Sequence, residues 1–179
     1  MRAGIILYGP PAAGKDTVTQ ALHRADTRCS LFERLKVGGG RTEGYRVISE
    51  SELTDLTDRG EIVWENRRYG AVYAVDRAGL SMHSASGVPV LHLGQSAAIE
   101  AVKNADRSIA WLVVYLWCAR DIAEQRIRGR NTGDVPARLS AWDSTESVEA
   151  DLRIDTGVTD PDRAAGEILL AMGERHARN

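Results

Sequence analysis

A chain of 179 residues, 43% of them hydrophobic, can bury one substantial core but is short for two domains, and its longest apolar stretch, Ile109 to Cys118, falls well below the ~20 residues that cross a bilayer. Its formal charge of -2 offers no general basic footprint for nucleic acid or an anionic membrane, so basic residues must act locally. Cys29 and Cys118 lie far apart without metal-ligand spacing, and with no signal peptide they read as free thiols in a reduced cytoplasm.

In chain order, the first element is the apolar run Ala3 to Tyr8, a strand buried on both faces. Directly behind it stands Gly9-Pro10-Pro11-Ala12-Ala13-Gly14-Lys15-Asp16-Thr17, ahead of a helix over 15–24. Glycines at both ends let the backbone curl until successive N–H groups face an anion, and the lysine reaches the outer phosphates. The run is a phosphate-binding loop, and its donor is a nucleoside triphosphate, ATP. Where the usual pattern has Ser or Thr after the lysine as a magnesium ligand, this chain has Asp16, with a hydroxyl only at Thr17. The Mg2+ site is therefore expected on Asp16 and Thr17, directly or through water.

Between 37 and 80 the pattern changes to a glycine-rich stretch and short alternating runs at Tyr45 to Ile48 and Glu61 to Glu65. A helix between them begins with the capping box Ser49-Glu50-Ser51-Glu52 and stops at Gly60. This predicts an insertion with its own small sheet. Strands at Val88 to Leu93 and Ile109 to Trp117 alternate with helices over 95–104 and 120–129, so a mostly parallel sheet covered by helices follows. Trp111 and Trp117 are expected in its core. Gly129 to Pro136 is a polar loop between two helices, Asp151 to Asp155 is a short fourth strand, and Thr159-Asp160-Pro161 opens a last helix whose tail, from Glu174, frays. One domain results: core 1–35, 81–128 and 137–175, insertion about 36–80, lid about 129–136.

The chain resembles the guanylate kinase family of P-loop nucleoside monophosphate kinases over almost its whole length. Gly44-Tyr45-Arg46-Val47-Ile48-Ser49, Gly60-Glu61-Ile62-Val63-Trp64 and Arg68-Tyr69-Gly70 are similar in order and spacing to the family's acceptor-binding region, and Arg126, Arg128-Gly129-Arg130, Thr132 and Arg138-Leu139 to its lid. The resemblance implies a three-layer α/β P-loop NTPase fold with a small β-containing acceptor-binding insertion and a lid. It implies that Tyr45 and Tyr69 hold the acceptor's phosphate, helped by Lys36 and Arg41, with Arg34 nearby. It also implies that Arg126, Arg130 and Arg138 close over the transferred group beside Lys15, and that Arg128 and Asp155 border the ATP site. Such cations offset the repulsion between an acceptor phosphate and a polyphosphate and fix in-line geometry.

The departures bear on the acceptor. Where the family reads guanine with carboxylates, this chain has Val63 or Trp64 and Gly94, with His92 in place of an earlier aspartate and Ala71 in place of a hydroxyl. Guanine N–H donors then lack acceptors. Glu65 substitutes if the register slips by one residue, and His92, at a strand's end, points into the ligand crevice. Ribose 1,5-bisphosphate phosphokinases are similar in their Gly-Lys-Asp loop and in a glycine at the position of Gly94. The expected activity is ATP-dependent transfer to the phosphate of a nucleoside monophosphate, with a sugar-phosphate kinase or a non-catalytic guanylate-kinase-like binding module as alternatives. Retention of Lys15 and the lid arginines speaks against the last, and a GTPase would want Asn-Lys-x-Asp, which is absent. A cytoplasmic monomer or homodimer, bound to neither nucleic acid nor membrane, completes the expectation.

Overall fold

The computed structural model describes residues 2–68, 70–129 and 133–177. Among them a five-stranded parallel sheet forms the centre, built from β1 (Arg2–Tyr8), β2 (Cys29–Leu31), β7 (Val88–Leu93), β8 (Ile109–Trp117) and β9 (Leu152–Asp155) in the order β2-β7-β1-β8-β9. The two-residue alternation of a strand divides β1 between two cores. Ile5 and Leu7 pack with Val18 and Leu22 of α1 (Lys15–Ala25) and Ile168 of α7 (Pro161–Ala177). Ile6 and Tyr8 pack with Leu80 of α3 (Arg77–Ser86) and with Ile99 and Val102 of α4 (Ser96–Ala105). Helices on both faces explain why the central runs are apolar without alternation. Trp111 is buried as expected, whereas Trp117, the last residue of β8, is 40% exposed. The final helix does not fray at Glu174: it continues to Ala177, tied at Arg175 by an ion pair to Asp151. No described helix is long and apolar enough to cross a membrane.

The insertion builds a second sheet from β3 (Arg34–Val37), β4 (Tyr45–Val47), β5 (Ile62–Arg68) and β6 (Ala71–Asp76), in the order β4-β3-β6-β5. Leu35, Val37, Val72 and Ala74 face one way and bury Leu53 of α2 (Glu50–Asp58), the helix started by the Ser49–Glu52 capping box. The opposite face is left for polar and aromatic side chains. Two further helices, α5 (Arg120–Arg128) and α6 (Val135–Asp143), flank residues 129–134, and Val135-Pro136, expected in the loop, already form the first turn of α6.

Candidate active site

The phosphate loop leaves β1 at Gly9, whose φ of 152° and approach to Leu116 admit no side chain; a Cβ there would stand 2.0 Å from the Leu116 carbonyl oxygen. Gly14, at φ 86°, caps α1. Lys15, the first residue of that helix, arches back so that Nζ donates to the carbonyls of Gly9 at 2.6 Å and Pro10 at 2.9 Å. Asp16 faces the cleft beside it, and Thr17, one residue further around the helix, is exposed outside the cleft. The two expected metal ligands thus diverge, because successive helical residues point about 100° apart.

His92, near the end of β7, lies over Asp16 with Nδ1 3.4 Å from Oδ1, while its Nε2 meets the hydroxyl of buried Thr19 at 2.7 Å. The two contacts set the tautomer: Nδ1–H turns to the carboxylate and Nε2 accepts from Thr19. Burial holds this imidazole below its ordinary pKa, against the pull of Asp16, and the positive charges of Lys15 and Arg34 lower it further. On its other side Asp16 Oδ2 is 3.7 Å from Arg41.

The polar face of the second sheet closes the cleft from across. Register places Tyr45 beside Arg34, Lys36 beside Tyr73, and Tyr73 beside Asn66, all on that face. Tyr45 and Tyr73 pack at a tilt of 52° with ring centroids 5.3 Å apart, and Arg34 sits 5.7 and 5.4 Å from those rings. Lys36 is buried beneath them, 5.8 and 5.9 Å from the same two rings, and donates to the carbonyls of Gly39 at 2.6 Å and Arg41 at 2.7 Å. Expected to touch the acceptor, its ammonium is committed to holding the glycine loop that presents Arg41. Glu65 is on the wrong face: paired with Ala74, it lies exposed opposite the cleft, 3.7 Å from Arg67, so the expected acceptor contact is not made.

The arginines near the lid divide. Arg138, from α6, lines the cleft and pairs with Asp134 at 2.7 Å. Arg126 does not close over the cleft; it donates to the Ala12 carbonyl at 3.1 Å, to Thr156 Oγ1 at 3.0 Å and to the Thr156 carbonyl at 2.7 Å, clipping the phosphate loop to the turn after β9. Arg128 is exposed and paired with Glu124 at 2.6 Å, and Asp155 spends a carboxylate oxygen on the Gly157 N–H at 2.8 Å, so neither borders the cleft. Tyr69, Arg130 and Thr132 lie outside the described residues. Gly94 lines the cleft, and Pro10 serves through its carbonyl.

Sequence reasoning missed Tyr73, Asn66 and Gln95 and gave Arg68, quoted only within the run Arg68-Tyr69-Gly70, no role; all four are on the cleft wall. The signal was the two-residue alternation through Ala71 to Asp76 and Trp64 to Arg68, which puts Tyr73, Asn66 and Arg68 on one face once β5 and β6 are known to pair. Enclosing about 780 Å³, the cleft is lined among the described residues by six cations against three carboxylates, in a chain whose net charge is negative. It has the glycine loop after β1 at one end and a cation–aromatic floor facing it, a charge balance that suits an anion.

Among solved structures the fold is similar to guanylate kinase from Anaplasma phagocytophilum, at 15% identity and a TM-score of 0.64 over 97% of this chain and 87% of that one. It is also similar to a sugar kinase from Janibacter sp. HTCC2649, at 13% identity and 0.55 over 97% of this chain and 95% of that one. No protein-family model and no curated protein matches the chain. At these identities the likeness is one of fold alone: the chain shares the α/β architecture of these two structures.

Proposed function

We propose that the chain is an ATP-dependent phosphotransferase that moves the γ-phosphoryl group to the phosphate of a small acceptor, a nucleoside monophosphate read without guanine-binding carboxylates. One juxtaposition carries the reading: Lys15 and its loop face Arg34, Arg41, Tyr45 and Tyr73 across a single cleft. Phosphoryl transfer asks for positioning and charge neutralisation more than covalent chemistry. Loop amides and Lys15 hold the β- and γ-phosphates, and Arg34 and Arg41 steer the acceptor phosphate against its own repulsion. An acceptor oxygen attacks the γ-phosphorus, the bond to the β–γ bridging oxygen breaks, and ADP leaves. Arg138 reaches the same space from α6.

Asp16 fits a magnesium ion, since its carboxylate faces the cleft and His92 orients it without adding positive charge, whereas Thr17 faces away. Held by Asp16, a magnesium ion would supply charge neutralisation for the donor phosphates. A sugar phosphate as acceptor is favoured by one observation: Glu65, the carboxylate expected to read a base, faces away from the cleft.

The test is ADP release from ATP and magnesium with a panel of nucleoside monophosphates and sugar phosphates. At least one acceptor should be turned over, with Lys15→Ala reducing the rate by more than a hundredfold. Absence of both ATP binding and turnover overturns the reading, as does full turnover by Lys15→Ala.

A further inference from the structure

Thr19, His92 and Asp16 form a chain at the donor end of the cleft that a phosphate loop with Ser or Thr after its lysine would not need. The alternation of β7 turns Val88, Val90 and His92 to one side. Val88 and Val90 share a core with Val18 and Leu22 of α1, and His92 meets the first turns of the same helix. Thr19 and Asp16, three residues apart, lie on one face of α1. The imidazole stands against both, with Nε2 2.7 Å from Thr19 Oγ1 and Nδ1 3.4 Å from Asp16 Oδ1. Threonines of α2 return their hydroxyls to carbonyls one turn back, Thr54 to Glu50 and Thr57 to Leu53, each at 2.9 Å. Thr19, buried, gives its hydroxyl to the ring instead. That bond fixes which edge of the imidazole faces α1 and leaves a proton on Nδ1, toward Oδ1. A charged ring carries a proton there as well, so the contact does not turn on titration.

The consequence falls on Asp16. A hydroxyl after the lysine offers a metal one neutral oxygen, whereas a carboxylate offers two oxygens and a charge. Here the two oxygens are not equivalent. Oδ1 faces the N–H of a buried ring, while Oδ2 faces the exposed Arg41 at 3.7 Å, a surface pair of the kind worth little and readily exchanged for a dication. Held this way, the carboxylate turns a single oxygen to an incoming ion, as the hydroxyl it replaces would. One-oxygen ligation suits magnesium, which demands near-octahedral order at ~2.0–2.1 Å and keeps several waters. Calcium takes more oxygens at ~2.3–2.6 Å and gains from carboxylates that chelate through both.

We propose that His92, anchored by Thr19, is a positioning residue that confines Asp16 to single-oxygen ligation and thereby makes the donor site select magnesium over calcium. The inference rests on the phosphotransfer reading and concerns its metal, not its acceptor. The full chain is titrated calorimetrically with ATP in magnesium, in calcium and in neither, the last serving as each variant's own reference. Magnesium should tighten ATP binding at least tenfold more than calcium does. His92→Leu should bring the two metals within threefold of each other. His92→Asn, whose amide N–H stands in for Nδ1–H, should keep the preference within twofold of the parent's, and Thr19→Val should fall between, with circular dichroism confirming that all three fold. Nitrogen-15 spectra of the unliganded chain, with the His92 signals identified by their loss in His92→Asn, should show a protonated Nδ1. An unprotonated Nδ1 overturns the proposal, as does a magnesium preference that survives His92→Leu, or one lost as fully in His92→Asn as in His92→Leu. A His92-dependent preference without ADP release from any acceptor leaves the positioning role standing and overturns phosphotransfer; ADP release with a His92-independent preference does the reverse.

Discussion

Replacing Lys36 with methionine separates local order from global stability. Lys36 is 1% exposed, and its ammonium donates to two loop carbonyls at 2.6 and 2.7 Å and lies under 6 Å from two tyrosine rings. Charge-assisted bonds are worth ~1.5–3 kcal/mol each and cation–π contacts ~0.5–2 kcal/mol. Against that, methionine fills much of the same volume without desolvating a charge, which relieves a cost of several kcal/mol. Gly39 and Arg41 are exposed, so water replaces the lost donor at their carbonyls. The global loss should thus be only ~1–2 kcal/mol in urea unfolding, while the glycine loop loses both of its ties to β3 and opens about 10–100-fold more often. Limited trypsinolysis followed by mass spectrometry reads the opening directly, as the rate at which the peptide ending at Arg41 appears under native conditions. A rate within twofold of the parent chain would refute the idea that Lys36 organises the loop.

Three further outcomes follow from the same contacts. Asp16→Ala should weaken magnesium-dependent ATP binding more than tenfold and Thr17→Val less than twofold, as measured by calorimetry with and without magnesium; equal effects would return Thr17 to the metal site. Arg126→Met removes the guanidinium that bridges Ala12, through one bond, and Thr156, through two, and leaves only the Thr156 Oγ1 bond to the Ala13 carbonyl as a side-chain tie, so ATP affinity should fall about tenfold; unchanged affinity would mean the loop holds its shape without Arg126. His83, whose Nε2 meets Ser30 Oγ at 2.8 Å, has its pKa lowered by burial and then by the charge of Arg46, with Glu33 opposing. The unfolded chain then binds the extra proton, so stability is fully present above the unfolded value of ~6.5 and is lost as pH falls below it toward the folded value. The urea midpoint should decline between pH 7.5 and pH 5.5, and His83→Gln should flatten the decline; an identical slope in the variant removes His83 as its source.

The phosphate loop was legible because its chemistry is local: the backbone path needs glycines at its ends, and the strand and helix on either side announce themselves by periodicity. The three-layer core was legible for the same reason, since β1, β7 and β8 are covered on both faces and read as unbroken apolar runs. β2 and β3 were not: at three and four residues they are too short for a period to show, and neither leads into a helix start such as the Ser49 capping box or Thr159-Asp160-Pro161, which follow the equally short β4 and β9. Lys36 and Arg126 mark a different limit. Sequence displays their charge but not the carbonyls that compete for it, and in both cases main chain takes the guanidinium or ammonium that a ligand was expected to use. The acceptor wall turns on parity. A bulge between Ile62 and Trp64 resets the alternation of β5, and pairing with β6, a contact outside the strand itself, decides which set faces inward. One residue of slip would bring Glu65 and Arg67 inward in place of Asn66 and Arg68, turning an amide and a guanidinium that line the cleft into a mixed-charge pair. The charge on that wall of the cleft is therefore specified by strand pairing as much as by composition.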